Sequence, residues 1–211
     1  MTAGMPPEPD TPTLGRVMAR VIHVFRRPDR FVAGTVGEPG DRAFYLQAIE
    51  SSRTISVLLE KQQVSVLAER ITALLGEVSK RFGEDNLLGA TVATGSWDND
   101  PLAVPLEEEF RVGTMGLGWD ADSSSIVVEL LAVTEEEIDE SVVLDDTEEG
   151  PDALRVFLSP TAAKSFAERA EKVVDAGRAP CPLCAEPLDP EGHVCVRLNG
   201  YHDRNPVAGT E

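Results

Sequence analysis

The chain reads as an α+β protein: two pseudo-repeated β-β-β-α units with antiparallel sheets, followed by a small C-terminal zinc-knuckle tail. Three observations predict this. Short β-branched and aromatic runs separated by turn residues fill residues 16–60. The apolar spacing then changes from two to three or four, the period of an amphipathic helix. All three cysteines of the 211 residues fall between Cys181 and Cys195.

Residues 1–13 are proline-rich and nearly free of apolar side chains, so they are expected to form a disordered leader. The body, residues 14–178, opens with four strand-like runs, Arg16–Phe25, Arg30–Gly37, Arg42–Glu50 and Thr54–Glu60. Arg-Pro-Asp, "GEPGD" and "SSR" separate them, which is turn chemistry, so adjacent antiparallel strands are the economical reading. Val64, Leu67, Ile71, Leu74, Val78 and Phe82 then mark one apolar helical stripe that needs a sheet to lie on.

A second set of elements echoes the first. Phe31-x-x-Gly34-Thr35-x-Gly37 recurs 79 residues later as Phe110-x-x-Gly113-Thr114-x-Gly116. Val57, Leu59, Ala68, Glu69 and Arg70 recur 99 residues later as Val156, Leu158, Ala167, Glu168 and Arg169. The offset grows by 20, which calls for an insertion, and Thr134–Gly150 supplies it. That stretch carries nine carboxylates and no base, so a mobile, solvated acidic insertion at about 134–150 is expected. The second unit then consists of Phe110–Trp119, Ser125–Val133, Leu154–Leu158 and a helix framed by Ser159 as N-cap, Pro160 at its first position and Gly177 just past its end. Duplication predicts two halves about a pseudo-twofold axis with a groove between them. The alternative is coincidence between two amphipathic segments.

The tail, residues 179–211, carries the clearest chemistry. Cys181-Pro-Leu-Cys184 has the two-residue spacing that lets both thiolates reach one ion, with turn amides free to bond the sulfurs. His193-Val-Cys195 places two more ligands at i and i+2, which share a face on an extended segment. Structural Zn²⁺ held by Cys181, Cys184, His193 and Cys195 is the resulting expectation, with His202 competing for the histidine position. Four protein ligands close a tetrahedral shell and leave no place for a reacting water, so the metal is read as structural. Free thiols on a loose terminus are the alternative. A zinc deaminase would also need H-x-E, and the only upstream histidine, His23, is followed by Val24 and Phe25.

Other signals are thin. The chain has no G-x-x-x-x-G-K-[ST], H-E-x-x-H or G-x-S-x-G. His23 shares its strand face with Val21 and Phe25 and is expected to be a satisfied core histidine. Glu107, Glu108 and Glu109 are expected on a solvated loop. With 37 acidic against 19 basic residues, the net charge of −18 repels phosphates, so neither nucleic acid nor an anionic membrane surface is an expected partner. No apolar run approaches a membrane span, and the N-terminus lacks the order of a secretion signal, which predicts a cytoplasmic protein.

The blocks "FVAGTVGEPGDRAFYLQA", "SVLLEKQQV", "EEFRVGTMGLGWD" and "PCPLCAEPLDPEGHVCVRLNGY" resemble an uncharacterised actinobacterial protein family, a domain of unknown function, over nearly the whole chain after the leader. The resemblance implies no assigned activity. It implies Cys181, Cys184, His193 and Cys195 as ligands and weakens His202, which stands where the family tends to have arginine. Two functions are therefore expected in order. The first is a non-catalytic zinc-binding protein acting through a protein partner. The second is an enzyme or small-ligand sensor with a site in the inter-repeat groove near Arg42, Lys61 and Trp119.

Overall fold

The computed structural model describes residues 20–82, 98–135, 143–147, 150–177 and 181–184, together with 188, 195 and 197. The leader, the linker bearing Trp97, most of the acidic insertion and the segments bearing His193 and His202 lie outside the described residues.

Seven strands form one mixed sheet: β1 (Ile22–Phe25), β2 (Arg30–Val36), β3 (Ala43–Glu50), β4 (Arg53–Leu59), β5 (Glu108–Asp120), β6 (Ser125–Ala132) and β7 (Ala153–Leu158). Two helices, α1 (Lys61–Phe82) and α2 (Pro160–Asp175), follow β4 and β7. The strand order is β1-β7-β6-β5-β4-β3-β2. The β2-β3-β4 and β5-β6-β7 runs are antiparallel meanders, as expected. The joints differ from that expectation, because β4 pairs parallel with β5 and β1 parallel with β7. A parallel neighbour needs a long crossover, which α1 and the residues after it provide between β4 and β5.

The last strand of the first run, β4, meets the first strand of the second, β5. The sheet also curls strongly. On a flat sheet β1 and β3 would stand about 24 Å apart at ~4.8 Å per strand, yet they touch. The Arg53 guanidinium donates to Val24 O at 3.0 Å and lies 4.0 Å over the Phe25 ring.

One core lies between the concave face and the helices. Phe31 and Ala33, Phe44, Leu46 and Ala48, Val57 and Leu59, then Ile126, Val128 and Leu130 alternate along their strands and are buried with Val64, Leu67 and Ile71 of α1 and Phe166 of α2. In β5 a register shift between Val112 and Thr114 flips this alternation. Phe110 and Val112 face the core before it, and Met115, Leu117 and Trp119 after it. Helix α2 starts as its sequence dictates: the Ser159 hydroxyl accepts from Ala162 N–H at 3.2 Å and Pro160 opens the first turn.

The opposite face carries polar side chains beneath two straps. Residues 98–105 cross β2 and β3. The Gln47 amide donates to Ser56 Oγ at 3.0 Å and to Ala103 O at 3.1 Å, and its oxygen accepts from Ala103 N–H at 2.8 Å. Residues 143–147 cross β5 to β7. Glu129, fully buried, accepts from Leu144 N–H and from Arg155 Nε at 2.8 Å. Arg155 also holds the Asp146 carboxylate, and Arg20 donates to Pro151 O at 2.8 Å with its Nη2 buried 4.0 Å from Glu129. This described part of the acidic insertion is latched to the sheet by these bonds, while Leu144–Thr147 stay exposed to solvent.

Candidate metal centre

Helix α2 ends at Asp175, and the Ala176 N–H closes its last turn on Lys172 O at 2.8 Å. The tail begins a few residues later with Cys181, followed by a turn that ends at Cys184. That turn brings Cys181, Cys184 and Cys195 together, with all three Sγ atoms within 4.8 Å of one another. Cys181 and Cys195 are buried and Cys184 half-buried. The Cys181 and Cys195 sulfurs lie 3.9 Å apart. This is far too long for a disulfide at ~2.05 Å. It matches two thiolates on one tetrahedral Zn²⁺, where Zn–S bonds of ~2.3 Å put the sulfurs about 3.8 Å apart.

The local backbone prepares the thiolates. Leu183 N–H donates to Cys181 Sγ at 3.5 Å. The amides of Leu183 and Cys184 hold the Cys181 thiol below its usual pKa, since each donor favours the charged sulfur more than the neutral one. Soft thiolate donors select zinc, copper(I) or iron–sulfur chemistry over hard cations. Of the four ligands read from the sequence, the structure unites the three cysteines. His193 and its competitor His202 lie outside the described residues.

The groove residues fare differently. Arg42 and Lys61 converge at the C-terminal end of α2: a Cβ placed on Gly177 would sit 3.8 Å from Arg42 Nη2 and 3.7 Å from Lys61 Nζ. A helix C-terminus carries partial negative charge, so two cations there have a structural reason. Trp119 is not with them. It packs partly buried against the core on the order of 25 Å farther along β5 than the Leu58–Arg111 pairing that lies beside Lys61, at ~3.3 Å per residue. His23 is half-buried and its Nε2 lies 3.0 Å from Glu109 Oε1, which ties β1 to β5. Glu60, next to Lys61, pairs with Arg111 at 3.5 Å.

Sequence reasoning passed over the buried polar set of Gln47, Ser56, Glu129 and Arg155. The signal was there: Glu129 interrupts "SIVVELLA" and Arg155 interrupts "ALRVFL", single polar residues in otherwise apolar strands. It passed over Asp98 as well. That carboxylate bridges Arg30, at 2.6 and 2.9 Å, and Arg169, at 3.0 Å.

The family model described as "Protein of unknown function (DUF3090)" matches residues 23–195, which span all of the sheet but its first residue, both helices and all three cysteines. The chain belongs to the DUF3090 family. No curated protein and no solved structure matches it. Among the described residues no helix is long and apolar enough to cross a membrane.

Proposed function

We propose that this DUF3090 protein is a non-catalytic zinc-binding protein of the cytoplasm, in which structural Zn²⁺ organises the C-terminal tail and the body engages a protein partner. The observation that carries the reading is the convergence of three thiols within 4.8 Å. His193 supplies the fourth ligand, two residues from Cys195 on the chain. A Cys3His shell is closed, so the ion acts on folding and not on a bound water. Reduced thiols holding a metal belong to a reducing compartment. We also read the body as an internal duplication of two β-β-β-α units. Val57 and Val156, Leu59 and Leu158, and Ala68 and Ala167 are buried in matching pairs, which supports that reading.

Metal analysis of purified protein tests the centre. About one zinc per chain is expected, released stoichiometrically when a mercurial titrates the thiols. Cys184→Ser should lose the ion while the far-UV circular dichroism of the body stays unchanged. Iron with visible absorbance, or well under half an equivalent of any metal, overturns the proposal.

A further inference from the structure

Cys181, Cys184 and Cys195 are the whole cysteine content of the chain, and they differ in how solvent reaches them. Cys181 and Cys195 are 5% and 4% exposed, whereas Cys184 is half-buried at the end of its turn, beside Leu183, which is 45% exposed. An oxidant arriving from water therefore meets the Cys184 sulfur first. The thiolate is the form of cysteine that both binds metal and attacks a peroxide, and access then decides which thiolate reacts.

The other two sulfurs stand where a first oxidation product can be resolved. All three Sγ atoms lie within 4.8 Å of one another, so any two need approach by less than about 3 Å to reach the ~2.05 Å of a disulfide. Cys181 is the better placed partner for Cys184, because the two share one turn, whose Leu183 N–H donates to Cys181 Sγ. Cys195 lies 3.9 Å from Cys181 but 14 residues away along the chain. Joining these sulfurs in different ways closes loops of different size. An ion on all three ties Cys195 back to the turn across those 14 residues. A Cys181–Cys184 bond closes only the turn and lets Cys195 go.

We propose that the thiolate centre is a peroxide-operated switch on its own zinc, in which Cys184 is oxidised, Cys181 resolves it and the ion leaves. The Cys184 thiolate displaces hydroxide from hydrogen peroxide and becomes a sulfenic acid, passing two electrons to the O–O bond. The Cys181 thiolate then attacks that sulfur and expels a second hydroxide, so two thiolates and one peroxide give one disulfide and two hydroxides. The zinc ion keeps its charge throughout. It loses two of its three sulfur ligands, and the donors that remain are too few for a structural site. A dithiol reductant opens the disulfide by exchange and is itself oxidised, returning two thiolates to the metal. Transient disulfides of this sort are the ones a reducing compartment uses for sensing. The switch rests on the zinc reading above and adds its regulation.

The test treats the full zinc-loaded chain with hydrogen peroxide, while a chromogenic chelator reads the freed ion and thiol titration in denaturant reads the remaining sulfurs. One zinc released per peroxide consumed is expected, with titratable thiols falling from three to one. Peptide mapping should find a Cys181–Cys184 bond, and dithiothreitol should restore zinc binding. Cys184→Ser removes the accessible sulfur, so its two remaining thiols should oxidise at least about tenfold more slowly than those of the wild type. Cys195→Ser should still form the Cys181–Cys184 bond, and Cys181→Ser should expose a sulfenic acid at Cys184 that dimedone traps. Zinc held against excess peroxide, a bond to Cys195, a disulfide between two chains, a loss that dithiothreitol does not reverse, or Cys184→Ser oxidised at the wild-type rate would each overturn the proposal. A chain that binds no zinc overturns the zinc reading and the switch together, whereas a zinc-loaded chain that peroxide leaves intact overturns the switch alone.

Discussion

Glu129 has no exposed surface, and burying a lone carboxylate costs several kcal/mol unless charge and hydrogen bonds compensate it. Arg155 compensates it through two nitrogens at 2.7 and 2.8 Å, and Leu144 N–H adds a third donor. Removing Glu129 takes the buried carboxylate from Arg155, which keeps only Asp146 and the Asp145 carbonyl, and from the buried Nη2 of Arg20, so Glu129→Ala should cost about 3 kcal/mol in urea unfolding. The double change Glu129→Leu with Arg155→Leu should cost less than Glu129→Leu alone, and additivity of the two would overturn this account of the pair. Asp98 behaves differently because it is partly exposed. Its carboxyl is held below the usual range, first by the Arg30 hydrogen bond, with the charges of Arg30 and Arg169 adding and burial opposing. A carboxylate depressed on folding stabilises above its unfolded pKa of about 3.9, and that stabilisation is lost as pH falls through the lower folded value. The stability gap between wild type and Asp98→Asn should therefore be flat above about pH 5 and close as pH drops below 4; a gap that widens on acidification contradicts the assignment. At this scale the sequence was half legible. A lone Glu in an apolar strand announces a buried partner, but which arginine supplies it depends on the register that sets Glu129 opposite Arg155.

Apart from β1, read from Arg16 but starting only at Ile22, strands and helices were legible to within a residue or two, because period two and period 3.6 are written into apolar spacing. The straps were not. Residues 98–105 and 143–147 carry no periodicity, and their places are set by glycines that leave room for them. Gly34 lies under Leu102 and Gly116 under Val143, where an added Cβ would stand 2.3 Å from Val143 Cγ1. Gly116→Ala should cost about 1–3 kcal/mol, typical of overpacking. Val143→Ala should recover part of that loss in the double variant, by making room for the added methyl. Were the loss unchanged in the double variant, the contact would not be its cause. The same latch bears on the insertion: deleting Glu135–Glu149 removes Leu144 from Glu129 and Asp146 from Arg155, so it should destabilise the body where its charge alone predicts indifference.

Across the whole molecule, the two runs expected from the sequence merge into one sheet, and the reason is where the chain ends meet. β1 precedes the first run yet pairs with β7 of the second, from Ile22 opposite Ala153 to Phe25 opposite Val156. Local pattern cannot show a pairing between segments so far apart in sequence, and the parallel β4–β5 joint is equally remote from any turn signal. These joints make the halves interdependent. Arg169 of α2 holds Ala33 of β2, Phe166 of α2 packs on Phe31 of β2 with ring centroids 4.7 Å apart, and α1 packs along α2. Neither half then keeps a core of its own, since the face that each helix buries includes strands of the other run. The body should unfold in one cooperative transition despite its repeated plan. Far-UV circular dichroism reads both runs, whereas tryptophan fluorescence reads Trp119 in the second run together with Trp97 in the linker; Trp97→Phe leaves Trp119 as the sole reporter. Coincident urea midpoints and slopes from the two signals are expected in that variant. A fluorescence transition displaced from the circular dichroism transition would mean that the second run folds by itself, and the shared core would then be a docking of two domains.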